Sequence, residues 1–292
     1  MNTKSRGGIR GAAAAVTGAR HTRIGRNGQD AAAVWIAPPD VGASAGVGAK
    51  GVSGSNILAA GAIVVCDGCG SGESSEVGAR VGARLALGAI SKRIGSRIDG
   101  IGRDPMGGSD DGGSSDPTTE TFWTAVRAEV VGAFEQLARS MPGSREQIVH
   151  DYFLFTTIAA VMVGDAIAVW AIGDGVYAID GRVRELGPFA NNQPPYLAYD
   201  LVGNPQGAHL EIAHGDSVIV ATDGVGEVGV DRFAGVDRFV THPDALRRHL
   251  ALLARGEERI DWTARRVVRT PAALQDDGAV AMLVRTSDGG AS

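Results

Sequence analysis

The chain has 292 residues, 44% hydrophobic and 21% charged, enough to bury one large core or two small ones. A net charge of −5 excludes nucleic-acid binding through a global basic field, and no apolar run approaches the ~18 residues that a membrane-spanning helix needs. Two cysteines are too few for a disulfide framework.

The N-terminus MNTKSRGGIRGAAAAV combines basic residues with an alanine run too weakly apolar for a secretory signal. Residues 1–12 therefore read as a flexible tail on a cytoplasmic protein. AAAVWIA, from Ala31, and AIVVC, ending at Cys66, read as strands. The Gly/Ser-rich stretches 41–56 and 100–116 read as mobile loops that interrupt one fold, residues 13–286, rather than separate two domains. Glu76–Ile98 carries Val77, Val81, Leu85, Ile90 and Ile94 at helical spacing. Thr119–Ser140 does the same with Phe122, Val126, Val130, Phe134 and Leu137, after the start signals Pro117 and Thr118.

From Phe155 the period changes. TTIAAVMV, AIAVWAI, VYAI and VREL are joined by the turn dipeptides Gly164-Asp165, Gly173-Asp174 and Asp180-Gly181, which predicts an antiparallel meander. SVIVATDG adds a strand. Asp244–Arg255 and the arginine-rich Glu257–Arg269 read as helices with solvated faces, GAVAMLVR as a last strand, and 287–292 as a tail. Helices that cluster away from strands predict an α+β fold rather than a parallel βαβ sheet. Trp35, Trp123, Trp170 and Trp262 are expected to fill core or sheet faces. The six histidines show no metal-ligand spacing and read as surface or loop residues. GVGAKG at 46–51 lacks the strand–turn–helix context of a dinucleotide site.

Two motifs compete in VVCDGCGSGES. Cys66 and Cys69 have C-x-x-C spacing, yet no second pair exists to complete a zinc site. A thiol redox site would need an exposed, low-pKa cysteine, whereas Cys66 ends an apolar strand as a small core residue does. Asp67 is the more telling residue. An apolar strand followed by Asp-Gly recurs at Asp67, Asp174 and Asp223, while Asp276, Asp277 and Asp30 stand just before strands. One such aspartate is an ordinary turn former. If these strand ends converge, the carboxylates cannot all remain ionised without a cation, and oxygen ligands match Mg²⁺ or Mn²⁺.

In chain order, RIGRNGQDA, VVCDGCGSGE, FTTIAAVMVGDAIAVWAIGDGVYAIDG, GDSVIVATDGVGEV and DDGAVAMLVR resemble the metal-dependent protein phosphatases of the 2C type in their compact bacterial form. The resemblance runs from about Ala13 to Arg285. It implies an antiparallel β-sandwich flanked by helices on both faces, α-β-β-α, with a Mg²⁺ or Mn²⁺ centre at one end. By resemblance Asp67 would bridge two metals and the Gly68 carbonyl would bind one. Asp223 and Asp276 would bind the other, with Asp277 the alternative to Asp276. Asp30 would hold metal or its water, and Asp174 with Glu227 would match a weaker third position. The implied reaction is in-line attack of an activated water on phosphoserine or phosphothreonine in a protein, the product of a Ser/Thr kinase, with no nucleic-acid or membrane partner. Arg23 and Arg26 compete for the substrate phosphate.

The chain departs from the family pattern in four places, the first being DDGAV, from Asp276, where the family reads DNITV. Cys69 stands where eukaryotic members carry a histidine, Glu227 replaces an aspartate, and the flap segment Asn191–Gly215 is short. Two rival readings remain: a pseudophosphatase that binds a phosphoprotein or partner, against which the four core aspartates speak, and a thiol redox protein using Cys66 and Cys69.

Overall fold

The computed structural model describes residues 8–38, 59–100 and 115–286. Residues 1–7 and 287–292, nearly all of both Gly/Ser-rich stretches, and the 46–51 motif lie outside them.

Two five-stranded antiparallel sheets form the centre. The first has the order β1 (Ile9–Val16), β12 (Gly278–Arg285), β9 (Ser217–Ala221), β6 (Gly175–Ile179), β7 (Arg182–Leu186). The second has the order β2 (Ala31–Ile36), β3 (Ala60–Gly68), β4 (Phe155–Val163), β5 (Ala166–Ile172), β8 (His209–His214). Helices α2 (Ser75–Gly100) and α3 (Glu120–Ser140), with the short α4 (Arg145–Ile148), cover the second sheet. Helices α5 (Asp223–Val228), α6 (Val236–Thr241) and α7 (Pro243–Leu253) cover the first. A short helix α1 (Ala19–Ile24) links β1 to the loop before β2. The layers are α-β-β-α, as expected.

The strand sequences follow from these layers. In β3, Ala62, Val64 and Cys66 face α2 and α3, while Ile63 and Val65 face the other sheet. In β12, Val280, Met282 and Val284 face the α5–α7 side, while Ala279, Ala281 and Leu283 face between the sheets. Both faces of each central strand are dry, so its sequence is a continuous apolar run instead of an alternation. Trp123 of α3 stacks on Trp170 of β5, with ring centroids 5.5 Å apart and planes 4° from parallel.

Four expectations change. Residues 9–12, expected in the tail, are part of β1, which pairs with β12 from Ile9↔Arg285 to Val16↔Gly278. Alanine is a weak strand former, but here the backbone ladder and burial on two faces decide. Glu257–Arg269 is not a helix. It is the hairpin β10 (Glu257–Asp261) and β11 (Arg266–Thr270), whose four-residue turn puts Arg265 at φ 51°. Ile260, Val267 and Val268 supply the β-branched content that the charged residues masked. Trp262 opens that turn, 79% exposed, and fills no core. Within α2, Val77 is exposed, and the buried stripe is Ala79, Ala83, Ala86, Ala89, Ile90 and Ile94.

That stripe of small residues lets α2 approach closely. A Cβ on Gly78 would stand 2.2 Å from the Tyr152 carbonyl oxygen, and one on Gly82 would stand 2.4 Å from the Phe155 ring. Gly132 of α3 has open space. We expect Gly78→Ala to lower stability by about 1–3 kcal/mol through overpacking, whereas Gly132→Ala should gain about 0.5–1 kcal/mol by helix propensity. Urea midpoints measured on both variants check the pair, and shifts of the same sign would contradict the close approach of α2.

Candidate metal centre

Antiparallel neighbours place the start of one strand beside the end of the next. Ala31 pairs with Cys66, so Asp30 ahead of β2 and Asp67 at the end of β3 share one edge. Ala221 pairs with both Val176 and Val280, which brings Asp223 after β9, Asp174 before β6 and Asp276 before β12 to the corresponding edge of the other sheet. The two edges face one cleft of about 650 Å³. Asp30, Asp67, Gly68, Cys69, Asp174, Asp223, Asp276 and Asp277 all line it, with His21, Gln29 and Tyr196.

The carboxylates repel. Burial pushes Asp30 up to about 8. Its hydrogen bonds with Thr222 and Asp67 act the other way, and the charges of Asp277 and Asp223 add to the rise. Burial, then the charges of Asp30 and Asp223, hold Asp67 well above the usual carboxylate range. Asp174 is pushed up to about 6 by burial and by Asp223. Asp67 lies within hydrogen-bonding reach of both Asp30 and Asp223. Such a set of oxygen donors fits hard divalent cations.

Supporting contacts fix the geometry. Thr222 Oγ donates to Asp30 Oδ2 at 2.6 Å and accepts from the Ala279 N–H at 2.9 Å, so one hydroxyl ties the two sheets together at the cleft. Asp277 is 4% exposed. Its Oδ1 accepts from the Gly18 N–H at 2.8 Å, and its Oδ2 accepts from the Gln29 N–H at 2.6 Å and meets His21 Nδ1 at 2.7 Å. Asp276, partly exposed, presents its carboxylate to the cleft and accepts from the Asp277 N–H at 2.9 Å. The two differ in their partners: Asp277 accepts from protein donors on both oxygens, and Asp276 accepts one backbone N–H and lines the cleft. Gly224 is required here, because a Cβ on it would stand 2.1 Å from the Asp277 carbonyl oxygen.

Glu227 is exposed one turn after Asp223 and does not line the cleft. The two arginines differ. Arg26 Nη2 donates to the carbonyls of Gly70 and Gly72, at 2.8 and 3.1 Å, on the loop at the cleft rim. Arg23 lines a separate groove with Arg20, Glu258 and Arg269. The cysteines differ too. Burial in β3 pushes Cys66 up to about 12. Half-burial raises Cys69, but hydrogen bonds from Ser71 and Tyr196 and from backbone N–H groups outweigh it, and the net value is lowered. Residue patterns missed His21, which is 8% exposed and lines the cleft, contrary to a surface role. They also gave no role to Gln29 and Thr222, each the residue just before a motif aspartate.

A family model described as protein phosphatase 2C matches residues 17–264. Among solved structures, the chain is similar to the serine/threonine phosphatase Stp1 from Staphylococcus aureus, at 12% identity and TM-score 0.52 over 98% of this chain and 99% of that one. It is similar to PppA, a regulatory component of T6SS in Pseudomonas aeruginosa, at 13% identity and TM-score 0.51 over 96% and 99%. It is also similar to a bacterial serine phosphatase, at 11% identity and TM-score 0.51 over 97% and 100%. At these identities the likeness establishes the fold. No curated protein matches the sequence.

The raised carboxylates set a pH dependence. Asp30 and Asp174 rise on folding from 3.8 to about 8 and about 6. The stability they contribute is complete below about pH 4 and is lost as pH rises through about 6 and then about 8. With chelator present, the melting temperature is expected to fall between about pH 5 and pH 8.5. Excess Mn²⁺, which binds the deprotonated carboxylates, should raise it most at the alkaline end. A melting temperature in chelator that rises across this range would show that these groups do not share one site.

Proposed function

The chain belongs to the protein phosphatase 2C family, and on that premise we propose that it hydrolyses phosphoserine and phosphothreonine in proteins at a two-metal centre formed by Asp30, Asp67, Asp223, Asp276 and the Gly68 carbonyl. By family it is a protein serine/threonine phosphatase; the finer statement concerns how its own residues do the work. The observation that carries it is the convergence of Asp30, Asp67, Asp174, Asp223 and Asp276, from five separate points of the chain, on one cleft.

Bound Mg²⁺ or Mn²⁺ would supply an activated water and neutralise charge on the phosphoryl oxygens. Asp67, within reach of both Asp30 and Asp223, would on this reading be the ligand the cations share. Asp223 and Asp276 come from the first sheet, and Asp30 and Gly68 from the second, so the sandwich holds the donors in a fixed relation. Asp174 supports a weaker third position; Glu227, outside the cleft, is not needed for it. Of the two arginines, Arg26, which is hydrogen-bonded to the rim loop, is the stronger candidate to meet a substrate phosphate on this reading. Cys69 occupies the position of the family's histidine, and no thiol step is required. The substrates on this reading are phosphoproteins made by serine/threonine kinases. Among the described residues no helix is long and apolar enough to cross a membrane.

Two substitutions test the reading. Asp67→Asn keeps a turn-forming side chain but removes the charge between the cations. We expect a folded protein with much weaker Mn²⁺ binding and a loss of about a thousandfold or more in kcat/KM on p-nitrophenyl phosphate, roughly 4 kcal/mol. Calorimetric Mn²⁺ titration beside steady-state rates checks it, and wild-type affinity and rate would end the proposal. Cys69→Ser should keep metal-dependent turnover within about tenfold, because the metals supply the nucleophile. Complete loss of turnover with metal still bound would revive a thiol mechanism.

A further inference from the structure

His21 departs from everything expected of a lone histidine in this chain. It sits on α1, only 8% exposed, and its ring lines the same cleft as the carboxylates. Its Nδ1 lies 2.7 Å from Asp277 Oδ2. That carboxylate also accepts backbone N–H groups from Gly18 and Gln29, so it is held as an acceptor and Nδ1 is the ring's donor. The other nitrogen, Nε2, has no hydrogen-bond partner among the described residues, yet it is not a sealed, unsatisfied atom, a condition met only by His249 Nε2. Solvent therefore reaches it, and His21 lines the cleft. One ring nitrogen of His21 and one carboxylate oxygen each of Asp276 and Asp277 lie within 4.8 Å of one another. Because the oxygens of Asp277 accept from protein donors, His21 and Asp276 are the pair with capacity left for a cation.

This is how proteins prepare an imidazole to bind a metal. One ring nitrogen donates to a buried carboxylate, which sets the tautomer, turns the ring and raises the basicity of the other nitrogen. We propose that His21 is a nitrogen ligand at the Asp276 side of the metal centre, oriented by Asp277, and that it biases this position toward first-row transition dications over Mg²⁺. The proposal rests on the metal-centre reading above and adds to it. A centre of carboxylate, carbonyl and water oxygens suits Mg²⁺ and Mn²⁺ alike, whereas one imidazole favours the transition ion, because Mg²⁺ is hard and holds its water. The asymmetry of the two sheet edges fits this. At the edge carrying Asp30 and Asp67 the carboxylates and the Gly68 carbonyl offer oxygen and no imidazole, and the helix that contributes His21 packs on the loop before β12 through Ala19 N–H to Leu274 O at 3.2 Å and Arg20 N–H to Gln275 O at 2.9 Å.

The experiment is pulsed electron paramagnetic resonance on the full chain loaded with Mn²⁺, which detects a directly bound imidazole through its ¹⁴N coupling and does not depend on turnover. Wild-type protein is expected to show that coupling, His21→Gln to lose it, and His150→Gln, altering the exposed histidine that also lines the cleft, to keep it. Calorimetry should show His21→Gln lowering Mn²⁺ affinity at one position by at least the roughly 10–100-fold that loss of an orienting partner costs, with Mg²⁺ affinity nearly unchanged. Asp277→Asn should weaken the ¹⁴N signal if it folds; the wild-type spectrum decides the matter if it does not. Tight Mn²⁺ binding that is abolished by Asp67→Asn, with no ¹⁴N coupling in wild type, would overturn the role of His21 and leave the oxygen-only centre intact. A coupling that survives in His21→Gln would overturn it as well. Absence of Mn²⁺ binding at the cleft would overturn both this inference and the metal-centre reading.

Discussion

Asp67, held within reach of both Asp30 and Asp223, is the constraint on which this molecule depends. The three stand where two sheets end, and burial together with the charges of Asp30 and Asp223 raises the proton affinity of Asp67. In water such groups would move apart. Here they cannot, because each is fixed to a strand whose backbone is committed to a ladder on one or both sides. The repulsion is thus stored in the folded state, to be relieved by protons or by divalent cations.

The rest of the structure can be understood as the means of holding that arrangement. Two sheets, their central strands dry on both faces, give a framework too closely packed for the strand ends to spread. Polar contacts then lock the cleft itself. Thr222 reaches across from one sheet to Asp30 of the other. Asp277 gathers the chain on either side of α1 by accepting from Gly18 and Gln29. These buried groups are well satisfied, so they add rigidity without leaving an unpaired polar atom in the core.

The same packing separates residues that look equivalent on paper. Cys66 and Cys69 are three residues apart, but one faces the hydrophobic layer under α2 and the other opens on the cleft, and their proton affinities move in opposite directions. Asp276 and Asp277 are adjacent, but one is free to meet a ligand and the other is occupied by protein donors. Arg23 and Arg26 are one helical turn apart, and α1 ends between them at Gly25 in the left-handed region, φ 70°, so that one faces a side groove and the other the rim loop.

Much of this was legible in the chain because some signals are local. Strands bounded by Asp-Gly, the continuous apolar runs of β3, β4 and β12, and the capped helix α3 express backbone chemistry and burial that act over a few residues. That several aspartates sit at strand ends is likewise visible in one dimension, and with antiparallel pairing it already implies a shared site. The misread pieces lacked such signals. The alanine-rich β1 is a strand because β12 pairs with it, the hairpin β10–β11 has a helix-like charge pattern, and α2 buries alanines because glycines let Phe155 and Tyr152 come close. Which aspartate of a pair is taken up by protein donors, which arginine faces the rim and whether a lone histidine reaches the cleft depend on contacts between residues up to 259 positions apart. The sequence by itself determined the composition of the site, since residue type decides what a side chain can donate, accept or ligate. The tertiary structure alone decided which of those side chains are already occupied by protein partners and which remain free to face a ligand.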